Sequence, residues 1–294
     1  MQEITLEIII RLVFGIRDAG RIGRLRALLP RLIEAGGSMS VAMLPPRLRE
    51  PMARLPFSPY VRFLRVRAAV DAILFEEIAR RRKEPEGTDV LSRLLATGLG
   101  DQEVRDELIT LLIAGHETTA TGLAWAFERL LRLPDVLRRL PDDEPYLDAV
   151  IKEVLRVRPV VYEAPRVLDA PLRLGGYEIP AGWYAGPSIP LVHHDAAVFP
   201  SPEEFRPERF LGGRQSLDGR QSRAWMPFGG GRRFCVGAQL ALLEMRVIIR
   251  EVLRRLELTA PDPAPEARRL ANVTFAPARL TRVIARAHYP ARTP

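Results

Sequence analysis

Cys235 is the single cysteine in a chain of 294 residues, and it stands in the run FGGGRRFCVGAQLALLEM that begins at Phe228. A lone thiol cannot close an intrachain disulfide, so it serves either as a small buried hydrophobe or as a ligating sulfur. Its neighbours favour the second use. Glycines at 229, 230, 231 and 237 leave backbone uncovered, which suits the close approach of a large flat ligand. Beyond the cysteine, Leu240, Leu243, Val247 and Val252 keep an approximate helical period and predict an amphipathic helix with the sulfur at its N-terminal end. Free N–H groups and the positive end of a helix dipole favour thiolate over thiol, and a thiolate is a good soft metal ligand. Arg232 and Arg233 either belong to a solvated basic loop or pair with carboxylates of a bound cofactor. One thiolate, a flat cofactor and adjacent guanidiniums are together the requirements of haem ligation, in which an anionic sulfur donates electron density to iron.

Three other groups carry candidate chemistry. The apolar run Leu111, Leu112, Ile113 and Ala114 lies in a helix predicted from about Asp101 to Leu133, and alone it reads as a core helix. It continues into Gly115, His116, Glu117, Thr118 and Thr119. Small residues admit a ligand against the backbone, a threonine hydroxyl can draw helix carbonyls open, and an acid beside a hydroxyl has the composition of a proton relay. His116 reads as a packing or solvent-facing residue. Glu153 and Arg156 are three apart on one helix, a spacing that ordinarily gives a surface ion pair of about 0.2 to 0.5 kcal/mol. His193 and His194 are adjacent, so they do not converge on one ion, and no metal is assigned to them.

The elements that must hold these groups are mainly helical. Only Glu163 to Ile189, punctuated by Pro165, Pro171, Gly175, Gly176, Pro180, Gly182 and Pro187, reads as short hairpins, which makes a small β region. The stretch LVHHDAAVFPSPEEFRPERF, with its prolines and aromatics, reads as irregular. With 47% hydrophobic residues, no internal repeat and no low-complexity linker, residues 1–294 are expected to form a single domain with a sizeable core.

The net charge of +8 invites a nucleic-acid reading, but all but two of the 44 basic residues are arginine, which looks like a GC-rich coding bias rather than a DNA-binding surface. The arginines are spread along the chain apart from Arg80 to Lys83, and an acidic redox protein is the expected electrostatic partner. The apolar opening ITLEIIIRLVFG is interrupted by Glu7 and Arg11, too short to span a bilayer, and lacks a secretory leader. With no paired cysteines, a cytoplasmic location without a membrane span is expected.

Four marks in order now resemble the cytochrome P450 family of haem-thiolate monooxygenases. They are AGHETT at Ala114 to Thr119, EVLR at Glu153 to Arg156, PERF at Pro207 to Phe210, and the cysteine loop at Phe228, Gly229, Gly231, Arg233, Cys235 and Gly237. The resemblance implies a bacterial, soluble type holding haem b, with Cys235 as iron ligand and Phe228, Gly229, Gly231 and Gly237 shaping the loop around it. It implies that Arg233 and Arg166 contact haem propionates and that Ala114 lies beside the cofactor. It further implies that Thr118 steadies dioxygen while Glu117 helps bring protons. Glu153, Arg156 and Arg209 are implied as a buried structural support. The implied reaction inserts one oxygen atom from O₂ into a hydrophobic organic substrate such as a lipid or terpene. Electrons would come from a ferredoxin or flavodoxin with its reductase.

The resemblance covers nearly all of this chain but only the later two thirds of the family pattern, because MQEITLEIIIRLVFG resembles a helix well inside the usual fold. The expected fold therefore lacks the family's N-terminal helices and strands. Two functional expectations follow: a working monooxygenase, or a truncated, inactive haem-binding remnant of one. Substrate-facing walls are expected around Ser38 to Tyr60, before Ala114, near Val160 to Pro165, and at Val273 to Pro277.

Overall fold

The computed structural model describes residues 1–15, 18–37, 45–84, 87–140, 143–211, 219–271 and 274–287. Residues 38–44 and Val273, part of the expected substrate walls, lie outside the described residues. The chain divides into two compact units, Met1–Glu117 and Thr118–Pro294.

The first unit is helical: α1 (Gln2–Phe14), α2 (Ala19–Gly37), α3 (Pro46–Ala53), α4 (Pro59–Lys83), α5 (Val90–Ala96) and the first part of α6 (Asp101–Leu130). In α1 the buried residues Leu6, Ile9, Ile10, Val13 and Phe14 recur at helical spacing, so they form one apolar stripe. The interrupting charges Glu7 and Arg11 pair at 2.8 Å away from that stripe. Gly15, at φ 56°, ends the helix in the left-handed conformation that glycine adopts without strain. Helix α4 begins where Ser58 accepts a hydrogen bond from Val61 N–H and Pro59 supplies a preset φ.

The basic run at the end of α4 is taken up within this unit. Buried Glu77 receives Arg80 at 2.5 Å and Arg21 at 2.6 Å, Arg81 reaches the N-cap Asp89 of α5 at 2.6 Å, and Arg82 reaches Asp101 at 2.6 Å. Three cations of the run, Arg80, Arg81 and Arg82, are thus held in ion pairs, two of them to the cap of α5 and to α6.

Helix α1 meets α6 at the AGHETT segment. A Cβ built on Gly115 would lie 2.6 Å from Ile9 Cδ1, so the missing side chain is what lets α1 approach. Beside it, the Thr5 hydroxyl donates to the buried His116 carbonyl at 3.0 Å. The His116 ring is itself buried, and burial lowers its pKa.

The second unit contains the rest of α6, which ends at Leu130 rather than Leu133, then α7 (Pro134–Arg139) and α8 (Glu144–Val157). The hairpin region follows: β1 (Arg166–Val167) pairs with β4 (Tyr184–Ala185), and β2 (Leu172–Leu174) with β3 (Tyr177–Ile179) across Gly175 and Gly176 at φ 58° and 86°. Helices α9 (Ile189–His193), α10 (Gly219–Ala224) and α11 (Ala238–Arg255) come next. The chain then forms two antiparallel pairs, β5 (Leu256–Thr259) with β8 (Ile284–Ala287) and β6 (Arg268–Ala271) with β7 (Thr274–Pro277). These strands enlarge the β region beyond the stretch the sequence suggests. Buried Trp125 of α6 anchors β7 by donating its indole N–H to the Phe275 carbonyl at 2.7 Å. Two features differ from the helical stripe expected for α11. Its buried side runs through Ala238, Glu244, Met245, Ile248 and Ile249, while Leu243 and Val247 are exposed.

The α1–α6 contact has a testable consequence. Gly115→Val forces a branched side chain into the space held by Ile9, so overpacking should lower unfolding free energy by about 1–3 kcal/mol. Denaturant titration of the variant against Gly115→Val/Ile9→Ala measures it, and the second change should restore part of the loss.

Candidate functional site

The cysteine loop is closed by its own backbone. Gly229 N–H donates to the Met226 carbonyl at 3.0 Å, Cys235 N–H to the Phe228 carbonyl at 3.0 Å, and Ala238 N–H to the Cys235 carbonyl at 3.3 Å. Gly229 and Gly231 adopt φ 71° and 65°, where a side chain would be strained. A Cβ at Gly230 or Gly231 would meet no atom within 4 Å, so one side of the loop is bare backbone. Cys235 is exposed and stands two residues before the N-cap Gly237 of α11, whose position for a Cβ is 3.9 Å from the sulfur. Arg233 is exposed in the short 3₁₀ turn Gly231–Arg233.

Arg166 lies on β1, also exposed, with its guanidinium directed at the Pro165 and Ala164 carbonyls at 2.8 and 3.3 Å. The strand approach and the loop come together: a Cβ at Gly229 would touch Ala164 Cβ at 4.0 Å. An exposed thiol, bare glycine backbone and two exposed guanidiniums fit a flat, doubly anionic cofactor ligated through sulfur.

Behind the loop is a buried polar cluster. Glu153 and Arg156 have no side-chain exposure and meet through Arg156 Nε at 2.7 Å and Nη2 at 2.9 Å, a bidentate pair on α8. Arg209, from the 3₁₀ turn Pro207–Phe210, adds its Nε at 3.3 Å, and Arg206 N–H donates to the same carboxylate at 2.8 Å. Burial lowers the Arg209 pKa, opposed by the Glu153 charge. The remaining donors of Arg156 reach the His193 and Pro202 carbonyls, both at 2.8 Å, and that of Glu204 at 3.2 Å. With Arg209, which donates to the Pro200 and Ser201 carbonyls at 3.1 and 3.4 Å, this guanidinium ties down the irregular stretch after α9.

Two residues of this cluster have no role in the sequence analysis: His193, considered there only as a metal ligand and set aside, and Trp225. Both ring nitrogens of His193 are engaged with backbone, at the Arg156 carbonyl (3.1 Å) and at Met226 N–H (3.0 Å). Trp225 donates to the Lys152 carbonyl at 3.2 Å and sits in an edge-to-face series Phe210, Trp225, Phe228, Phe234 with centroid spacings of 5.9, 6.2 and 6.4 Å. An aromatic before a glycine loop was the available signal for Trp225.

Ala114, Glu117 and Thr118 lie on α6 at i, i+3 and i+4, hence on one helix face. Ala114 is exposed and belongs to the first unit with half-buried Glu117; half-buried Thr118 opens the second. Further along α11, Glu244 is buried with Oε2 lacking a hydrogen-bond partner among the described residues, and burial pushes its pKa up to about 7.

The sequence pattern of the family described as "Cytochrome P450" matches residues 1–279. The chain is 42% identical over 307 residues to a Mycobacterium tuberculosis protein named "Putative cytochrome P450 135B1", covering 98% of this chain and 63% of that protein. A similarly named protein of the same organism, cytochrome P450 137, is 39% identical over 297 residues, with 96% of this chain and 60% of that protein covered. The chain thus spans about three fifths of the length of these relatives. Among solved structures it is similar to a cytochrome P450DA haem domain, with TM-score 0.81 and 24% identity over 98% of this chain and 67% of that one. It is also similar to the retinoic acid-bound cyanobacterial CYP120A1, with TM-score 0.80 and 27% identity over 97% of this chain and 67% of that one.

Two measurements follow from the geometry. Arg156→Ala leaves the Glu153 charge buried beside Arg209 alone, so unfolding free energy should fall by about 3–5 kcal/mol, read by denaturant midpoint. Glu244 makes the second case. Its folded pKa of about 7 lies above the ordinary 4.5, so the stability tied to its protonated form is full below pH 4.5 and lost as pH rises through 7. Across that window the wild type should lose up to about 1.4 kcal/mol per pH unit relative to Glu244→Gln. Parallel pH slopes for the two proteins would contradict this.

Proposed function

The chain belongs to the cytochrome P450 family, and from that premise we propose that it acts as a haem-thiolate monooxygenase on a hydrophobic organic substrate. The observation that carries the reading is the exposed Cys235 thiol, held by the 3.0 Å bond from its N–H to the Phe228 carbonyl within a loop of bare glycine backbone. When bound, haem b supplies dioxygen activation assisted by the electron density of an anionic sulfur.

The chain's own residues have distinct duties in this reading. Cys235 holds the iron, and Gly229, Gly231 and Gly237 keep side chains away from the face of the cofactor. Phe228 supports the loop through its carbonyl and its contacts with Trp225 and Phe234. Arg166 and Arg233 bind propionates as charge-assisted donors. Ala114, lacking bulk, leaves room beside α6. The Thr118 hydroxyl orients dioxygen and passes a proton at its Oγ1, and the Glu117 carboxylate resupplies that proton. Glu153, Arg156 and Arg209 keep the backbone behind the loop in one arrangement. The net reaction places one oxygen atom in a C–H bond of the substrate and reduces the other to water, consuming two electrons and two protons. A ferredoxin or flavodoxin with its reductase supplies the electrons. No described helix is long and apolar enough to cross a membrane.

Two variants test the reading. After reconstitution with haem, reduction and exposure to carbon monoxide, the wild type should show the red-shifted thiolate-type band and Cys235→Ser should lack it. An unchanged band in the variant would overturn the ligand assignment. Thr118→Ala should leave oxygen consumption largely intact while product falls about 10²-fold or more and hydrogen peroxide rises, since proton delivery by a positioned group contributes about 10²–10⁴ in rate. Unaltered coupling of oxygen use to product would remove Thr118 from the relay.

A further inference from the structure

The His193 ring is completely buried, and the reading above leaves it without a duty. Packing explains part of it, since the ring meets Phe199 edge-on at 6.1 Å. The two ring nitrogens are more specific. The Arg156 carbonyl is in the last turn of α8, where helical geometry leaves carbonyls without an intrahelical donor. His193 Nδ1 faces that carbonyl at 3.1 Å, which sets it as the N–H donor. Nε2 then keeps its lone pair and accepts Met226 N–H at 3.0 Å. Met226 opens the cysteine loop: its carbonyl accepts Gly229 N–H, and two residues on the Phe228 carbonyl accepts Cys235 N–H, each at 3.0 Å. On its other side, the His193 carbonyl accepts Arg156 Nη1 at 2.8 Å.

We propose that His193 is a positioning residue whose neutral imidazole, donating from Nδ1 and accepting at Nε2, ties the buried Arg156 end of α8 to the backbone that sets the Cys235 sulfur. The proposal rests on the haem-thiolate reading for its functional meaning and on these bonds for its geometry. It requires the proton to stay off Nε2, because an imidazolium would turn an N–H toward the Met226 N–H. Burial holds the ring pKa down to about 3, and the Arg156 charge and neighbouring His194 act in the same direction.

Three substitutions separate bonding from packing. His193→Gln can place its amide oxygen near the Nε2 position and keep an acceptor for Met226. His193→Asn reaches only as far as Nδ1 and can keep the donor to Arg156. His193→Phe preserves ring volume and loses both bonds. In the full chain without haem, amide exchange at Met226 should stay close to wild type in the Gln variant and quicken about tenfold in Asn and Phe, the scale of one lost hydrogen bond. In the haem-loaded, reduced and carbon monoxide-treated proteins, the thiolate-type share of the spectrum should follow the same order, with Gln rescuing what Asn and Phe lose.

Packing alone predicts that Phe performs best. Wild-type exchange and spectrum in His193→Phe, or a Gln variant no better than Phe, would overturn the proposal. Should Asn and Phe fail to fold, a Gln variant with wild-type protection at Met226 supports it and one without overturns it. A wild-type chain that gives no thiolate-type band defeats the haem-thiolate reading, while the exchange order still decides the positional role of His193.

Discussion

A carboxylate and a guanidinium, neither exposed to solvent, face each other at 2.7 Å across one turn of α8. Removing two charges from water costs several kcal/mol each, and the interior returns that only where the geometry is close and every remaining donor and acceptor is matched. Glu153 and Arg156 meet both conditions. The carboxylate also receives Arg209 and the Arg206 N–H, and the guanidinium reaches three backbone carbonyls between His193 and Glu204. Local turns satisfy some of that segment's carbonyls, such as those of Asp195 and Ser201, and Arg156 and Arg209 take up others that no ladder or helix provides for. The pair therefore organises a loop region rather than simply adding stability. Either group alone would be a buried charge without a counter-ion of comparable reach.

Packing extends this constraint toward the cysteine. Phe210 of the turn that carries Arg209 packs with Ala149 of α8 and with Trp225, and the Trp225 indole bonds to the Lys152 carbonyl one residue before Glu153. The same helix thus presents ionic, hydrogen-bonding and aromatic contacts to the chain that leads into the glycine loop. In the first unit, Gly115 has a different rationale. Its bare face holds Ile9, so a small residue there serves helix packing.

The helical class and the hairpins around Gly175 were legible because their signals are local: proline and glycine punctuation, and apolar residues at helical spacing. The cysteine loop was legible for a similar reason, since six informative residues fall within ten positions. Other features depend on distance. His193 and Trp225 act through backbone groups 37 and 73 residues away, and nothing near them in the chain announces those partners. The C-terminal strands RRLA and IARA are short and rich in arginine, without the alternation that marks a half-buried strand. Helix α11 is apolar on more than one side, so Leu240, Leu243 and Val247 give a stripe of their own beside the one that is buried. For the arginine run at the end of α4, Glu77 is a local partner, but Asp89 and Asp101 belong to the cap of α5 and to α6, and the run itself does not announce them.

The series of rings from Phe210 to Phe234 also gives the molecule an internal light meter. Its three tryptophans occupy three settings: Trp125 is buried under the Arg158 guanidinium, Trp183 is exposed, and Trp225 stands 6.2 Å from Phe228, whose carbonyl holds the cysteine. A strongly absorbing pigment settling on that loop would drain the excited state of Trp225 through space at short range. Quenching of the chain's tryptophan emission, to which all three indoles contribute, would therefore report such a pigment without any added dye.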